Sequence, residues 1–135
     1  MNGDRIVQQA REYIGVPFLH QGRSKRGVDC VGLVVRVAQD LGLSRYDFTE
    51  YGMDPNLSQF MRVLRACPDW ERIPITDRQS GDVLVLALNV PCHVAIYTGS
   101  GVIHAMSLRG KVCEHRLTSD WKRKVRECYR FKGVE

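Results

Sequence analysis

A chain of 135 residues, 44% of them hydrophobic, is long enough for one globular domain around one core, and it contains no run of about 18 apolar residues that would cross a membrane. Its start, Met1-Asn2-Gly3-Asp4-Arg5, lacks the apolar stretch and small-residue cleavage site of a secretory leader, so a chain made in the cytoplasm and not exported by that route is expected. The net charge of +5 is concentrated in residues 23–26 and 122–126; it favours anionic partners without choosing among nucleic acid, a cell-wall polymer and acidic peptides, and no zinc-finger, RRM or helix-turn-helix signature supports the first.

Ile6, Val7, Ala10, Tyr13 and Ile14 recur at helical spacing after Asp4, and Gly15-Val16-Pro17 supplies a stop, so the first element is a short amphipathic helix. Residues 18–28, with Gly22 and Gly27, read as a loop. A second helix is expected over 29–41, closed by Gly42, with apolar residues around most of its circumference, which makes it a central helix. Residues 44–54 look irregular. Asn56 or Ser58 caps a third helix carrying Leu57, Phe60, Met61 and Leu64, ended by Pro68. Residues 83–88, 93–98, 102–106, 111–117 and 127–131 are short β-prone runs separated by turn residues. Helices followed by strands suggest an α+β domain whose antiparallel sheet packs against the central helix.

Cys30 stands at the expected N-terminus of that helix, behind Asp29, which can cap it. Unpaired amides and the helix dipole there favour thiolate over thiol, and a lowered pKa is expected. Gly32 leaves room beside the sulfur for a substrate backbone. Free cysteine also serves as a small buried hydrophobe, and the other four (Cys67, Cys92, Cys113, Cys128) read that way; an odd count of five without framework spacing argues against a disulfide scaffold.

A cysteine nucleophile needs a base, and the base needs a polar group on its far nitrogen. His93 suits the base and His104 the orienter. If the turn between their strands leaves a two- or four-residue loop, facing residues sum to 197 or 199 and the two histidines share a face, directly opposed or diagonal; a three-residue loop separates them. The chemistry is acyl transfer, with backbone amides at the start of the helix meeting the developing oxyanion. His20 and His115 read as surface or cleft-edge histidines.

The strings Ala10-Arg11-Glu12-Tyr13-Ile14-Gly15-Val16-Pro17-Phe18, Asp29-Cys30-Val31-Gly32-Leu33, Ser80-Gly81-Asp82-Val83-Leu84, His93-Val94-Ala95-Ile96-Tyr97 and Val102-Ile103-His104-Ala105, in this order, resemble the NlpC-type cysteine peptidases. The resemblance implies a papain-like α+β fold and cleavage of peptide bonds in peptidoglycan stem peptides without a cofactor. It also implies that Cys30 is the nucleophile, His93 the base and His104 the third polar position. Asp29 matches an acidic residue that in some members receives the free amine of the stem peptide, and Phe18, His20 and Gly32 stand with it as substrate-binding candidates. Val31 replaces a common Ser, and Phe18-Leu19-His20-Gln21-Gly22 replaces a common Tyr-x-Trp-Gly-Gly, so substrate detail differs. The Asp-Cys-Val-Gly variant and the small size resemble the stand-alone phage-tail-associated type, whose expected partners are phage tail proteins and which acts from the virion on the host wall.

Two other classes are open. His93, His104 and His115 with Cys92 and Cys113 are zinc-ligating residue types, although the adjacent pair Cys92-His93 points to opposite faces of a strand. A non-catalytic tail or wall-binding module would keep the same fold.

Overall fold

The structure is a computed structural model that describes residues 1–52, 56–88 and 92–135. The last two residues of the irregular segment expected over 44–54 lie outside the described residues. Helix α1 (Gly3–Arg11) begins where the Asn2 side chain accepts from the Asp4 amide, and it buries Ile6, Val7 and Ala10. It stops short of Gly15, in a turn that leaves Tyr13 fully buried. The segment expected to be a loop contains a minimal hairpin, β1 (Arg23–Ser24) with β2 (Gly27–Val28).

Helix α2 (Cys30–Asp40) starts where the sequence places it. Asp29 is its N-cap, accepting from the Gly32 amide at 2.7 Å. Val31, Leu33, Val34, Val35, Val37 and Ala38 are all buried, as a helix apolar nearly all round requires. Each such side chain contributes about 1.5–3 kcal/mol for Val or Leu. Of the two candidate caps for the third helix, Asn56 holds the position, and α3 runs Leu57–Arg65.

The strands are β3 (Trp70–Ile73), β4 (Val83–Leu86), β5 (His93–Tyr97), β6 (Gly101–Met106), β7 (Lys111–Arg116) and β8 (Val125–Phe131), with a 3-10 turn at Ile75–Asp77 and a one-turn helix α4 (Ser119–Lys122). They form one antiparallel sheet in the order β3-β8-β4-β5-β6-β7. Strand β3 and helix α4 were not expected. Trp70-Glu71-Arg72-Ile73 carries two charges in four residues, which suits an edge strand with one wet face and weakens the apolar signal. Sequence neighbours β3 and β4 are separated in the sheet by β8, the last strand, a pairing that no local pattern announces.

The pleat divides the sheet into two faces. Val83, Val85, Val94, Ile96, Ile103, Ala105 and Val112 pack under α1 and α2; Leu84, Leu86, Ala95, Val102 and Cys128 face the other way, with Leu117, Val125 and Trp121 over them. This is the α+β papain-like architecture in which the central helix lies on an antiparallel sheet. The close approach of α1 to the start of β4 needs Gly81, which has φ +94° and lies against Gly3 so tightly that a Cβ would meet Gly3 backbone at 2.6 Å.

Candidate active site

Cys30 is the first residue of α2. Its half-buried side chain faces the amides of Val94, Val31 and Cys30 itself. The sulfur therefore lies against the main chain of β5 beside His93. The thiol is not the activated one the helix N-terminus suggested: burial pushes it up to about 12, the nearby Asp29 carboxylate adds to the rise, and the three amides offset only part of it. No hydrogen bond joins the sulfur to the His93 ring among the described residues.

Histidine placement follows from strand register. Tyr97 pairs with Val102 and Ile96 with Ile103, so facing residues sum to 199 and the hairpin has the four-residue loop. His93 and His104 are diagonal neighbours, and the His93 Nε2 lies 3.0 Å from the His104 Nδ1. Both are buried, at 5% and 0% exposure. Burial, with the electrostatic influence of His104 and His115, lowers His93 to about 3; burial, His115 and Arg109 lower His104 to about 4. Both rings are neutral at neutral pH. The resting pair is therefore thiol and imidazole, which is the state a general base requires before it takes a proton.

A third histidine joins them. In β7, Cys113 pairs with His104 and His115 with Val102, so His115 is diagonal to His104 as His104 is to His93. Its Nε2 is 2.7 Å from the His104 Nε2, and its Nδ1 is 2.8 Å from the Arg116 carbonyl. Expected at the surface or cleft edge, His115 is half-exposed, and the β6–β7 register carries it to the end of the row. Cys113, read as a structural thiol, also borders it, with Sγ 3.7 Å from the His104 Nε2. Trp121 of α4 packs against all three rings, at centroid distances of 6.2, 5.2 and 4.9 Å. Among the described residues no group of three or more His, Cys, Asp or Glu side chains is arranged to hold a metal ion.

The loop side of Cys30 is a charged network centred on Asp29, which is 3% exposed. One oxygen caps Gly32 and accepts from the Arg23 Nη1 at 3.2 Å; the other accepts from the Tyr51 hydroxyl at 2.6 Å and the Gln21 amide at 2.8 Å. Arg23 spends its remaining donors on Asp47, the Gly22 and Phe48 carbonyls and the Tyr51 hydroxyl. Asp29, expected to receive a substrate amine, is instead filled by four internal donors. Gly32 is corrected too: the space a Cβ would take holds the Gly22 carbonyl, 2.1 Å away, so the glycine serves loop packing and not a substrate backbone. Arg23 is likewise withdrawn from the cationic patch. Phe18 is half-buried against the core and donates its amide to the Gly110 carbonyl at 2.8 Å. His20 stands edge-on to Tyr51, with 33% of its side chain exposed.

The description of the NlpC/P60 family matches residues 15–130. The chain belongs to the NlpC/P60 family. It is 27% identical over 131 residues to the murein DD-endopeptidase MepS/murein LD-carboxypeptidase of Escherichia coli K12, covering 93% of this chain and 61% of that protein. It is 30% identical over 110 residues to the probable endopeptidase Rv2190c of Mycobacterium tuberculosis, covering 80% of this chain and 25% of that one. The chain thus spans about three fifths and one quarter of these two relatives. Among solved structures, the NlpC/p60 domain of the peptidoglycan hydrolase SagA matches with TM-score 0.68 and 23% identity over 97% of this chain and 100% of that one. A family member from Bacillus cereus matches with TM-score 0.71 and 20% identity, over 97% and 40%. These two likenesses show the fold.

Proposed function

We propose that this NlpC/P60 chain is a cysteine peptidase that hydrolyses amide bonds in peptidoglycan stem peptides, with Cys30 as nucleophile, His93 as general base and His104 as the residue that orients it. The observation that carries the reading is the buried His93–His104 hydrogen bond on the strand against whose main chain the Cys30 sulfur lies. The murein endopeptidase and peptidoglycan hydrolase among the relatives support the substrate class.

Because thiol and imidazole are both neutral at rest, proton transfer accompanies attack. The Cys30 proton passes to the His93 Nδ1 as the sulfur bonds to the scissile carbonyl carbon. The oxyanion forms beside the unpaired amides of the first turn of α2. When the C–N bond breaks, the leaving amine takes the proton from the imidazolium and an acyl thioester remains. Water then gives one proton to His93 and its hydroxyl to the acyl carbon; the C–S bond breaks, the thiolate takes the proton back from His93, and the carboxylic acid that leaves ionises in solvent. Phe18 and His20, on the loop ahead of Cys30, form one wall of the substrate cleft in this reading.

The Asp29-Cys30-Val31-Gly32 variant supports a phage-tail-associated setting; detection of the chain in purified virions by mass spectrometry tests that part by itself. The test of the activity is to incubate wild type and Cys30→Ala with defined muropeptides of diaminopimelate and lysine type and read the products by mass. Cleavage by wild type alone is expected, and the product masses name the bond. Intact muropeptides in both reactions, with both proteins folded, overturn the proposal.

A further inference from the structure

The hydrogen bonds of the three histidines fix one another in order. The Arg116 carbonyl can only accept, so in the neutral His115 ring the Nδ1 carries the proton and the Nε2 is the acceptor. The His104 Nε2, 2.7 Å away, must then donate, which leaves the His104 Nδ1 as an acceptor. The His93 Nε2 at 3.0 Å must donate to that atom, and the His93 lone pair falls on Nδ1, the nitrogen left for a proton from the thiol. Each link requires a neutral ring at its far side, and burial keeps His93 and His104 neutral.

We infer that His115 is a positioning residue for the reaction: by accepting from His104 it sets the tautomer of His104, and through it holds the His93 lone pair on Nδ1. The inference rests on the proposed Cys30–His93 chemistry. Without the His115 acceptor, the other group beside the His104 Nε2 among the described residues is the Cys113 sulfur at 3.7 Å, a weak acceptor. His104 is then free to move its proton to Nδ1. That shift makes the His93 Nε2 an acceptor and places the His93 proton on Nδ1, where it faces the thiol as a second donor and no base remains. Trp121 packs over all three rings, and the burial of His93 and His104 limits the water that would supply substitute partners there.

The experiment reads the tautomer directly, on ¹⁵N-histidine-labelled full-length chain, alongside turnover of muropeptides. In wild type the His93 Nε2 is protonated and Nδ1 is not. His115→Leu, folded by circular dichroism, is expected to populate the opposite His93 tautomer and to lose about 10–100-fold in kcat with KM little changed. His115→Gln, whose side-chain carbonyl can accept from His104, is expected to restore the wild-type tautomer and most of the turnover. An unchanged His93 tautomer in His115→Leu overturns the inference whatever the activity. If wild type cleaves no muropeptide while the tautomer still switches in His115→Leu, the relay stands and the proposed substrate fails.

Discussion

The two walls around Cys30 solve the problem of holding a side chain in opposite ways. On the loop side, charge answers charge: the Asp29 carboxylate takes four donors, and Arg23 and Tyr51 are locked to it and to the 47–51 segment. On the sheet side, His93 and His104 are buried and neutral and joined end to end, and among the described residues the His93 Nδ1 has no hydrogen-bond partner. A saturated ionic network is rigid and has no site left to exchange a proton. A neutral row with a single free lone pair is equally ordered and can accept one. The difference fits the proposed division of labour, in which Asp29 is scaffold and the uncharged strand histidines carry the chemistry.

Substitutions separate the two walls. His93→Ala is expected to lower turnover by about 10³-fold or more, since base and nucleophile act as a unit, while leaving the urea midpoint within a small shift of wild type. Turnover near wild type in that variant would remove the base from the mechanism. Asp29→Ala should do the reverse in kind: it strips the N-cap of α2 and takes from the half-buried Arg23 guanidinium the more buried of its two carboxylates, leaving only Asp47, a loss of about 2–4 kcal/mol of stability by urea unfolding.

Acid distinguishes the walls without mutation. In the unfolded chain His93 and His104 take up protons near their ordinary 6.5, whereas the folded chain resists protonation down to about 3 at His93 and about 4 at His104. The unfolded state thus binds more protons between those limits, so the histidine contribution is full above about pH 6.5 and stability falls as pH drops toward 4. A urea midpoint series is expected to show that slope, and His104→Asn is expected to flatten it. The smallest effect belongs to Tyr51→Phe, which removes one donor to Asp29 and one acceptor from Arg23 but leaves the Arg23 and Gln21 contacts to the carboxylate in place. About 1–2 kcal/mol of stability and little turnover should be lost; a loss as large as that of Asp29→Ala would mean that the hydroxyl, not Arg23, anchors the carboxylate.

Local parts were legible in the sequence: the capped, mostly apolar central helix headed by Cys30 and the strand runs other than β3, because side-chain period is written in consecutive residues, while the face shared by His93 and His104 waited on the loop length, which the register then gave as four. The same arithmetic applied to 104 and 115 would have found the third histidine, since the Met106–Lys111 pair closes a four-residue loop there too. The rest depends on contacts between distant segments. The insertion of β8 between β3 and β4, the arrival of Tyr51 and Trp121 at the site, and the filling of Asp29 and of the space beside Gly32 all bring together residues that share no local pattern. The sign of the Cys30 shift belongs with them, because the helix end that favours a thiolate is visible in the sequence, while the burial that outweighs it is set by the sheet on which the helix packs.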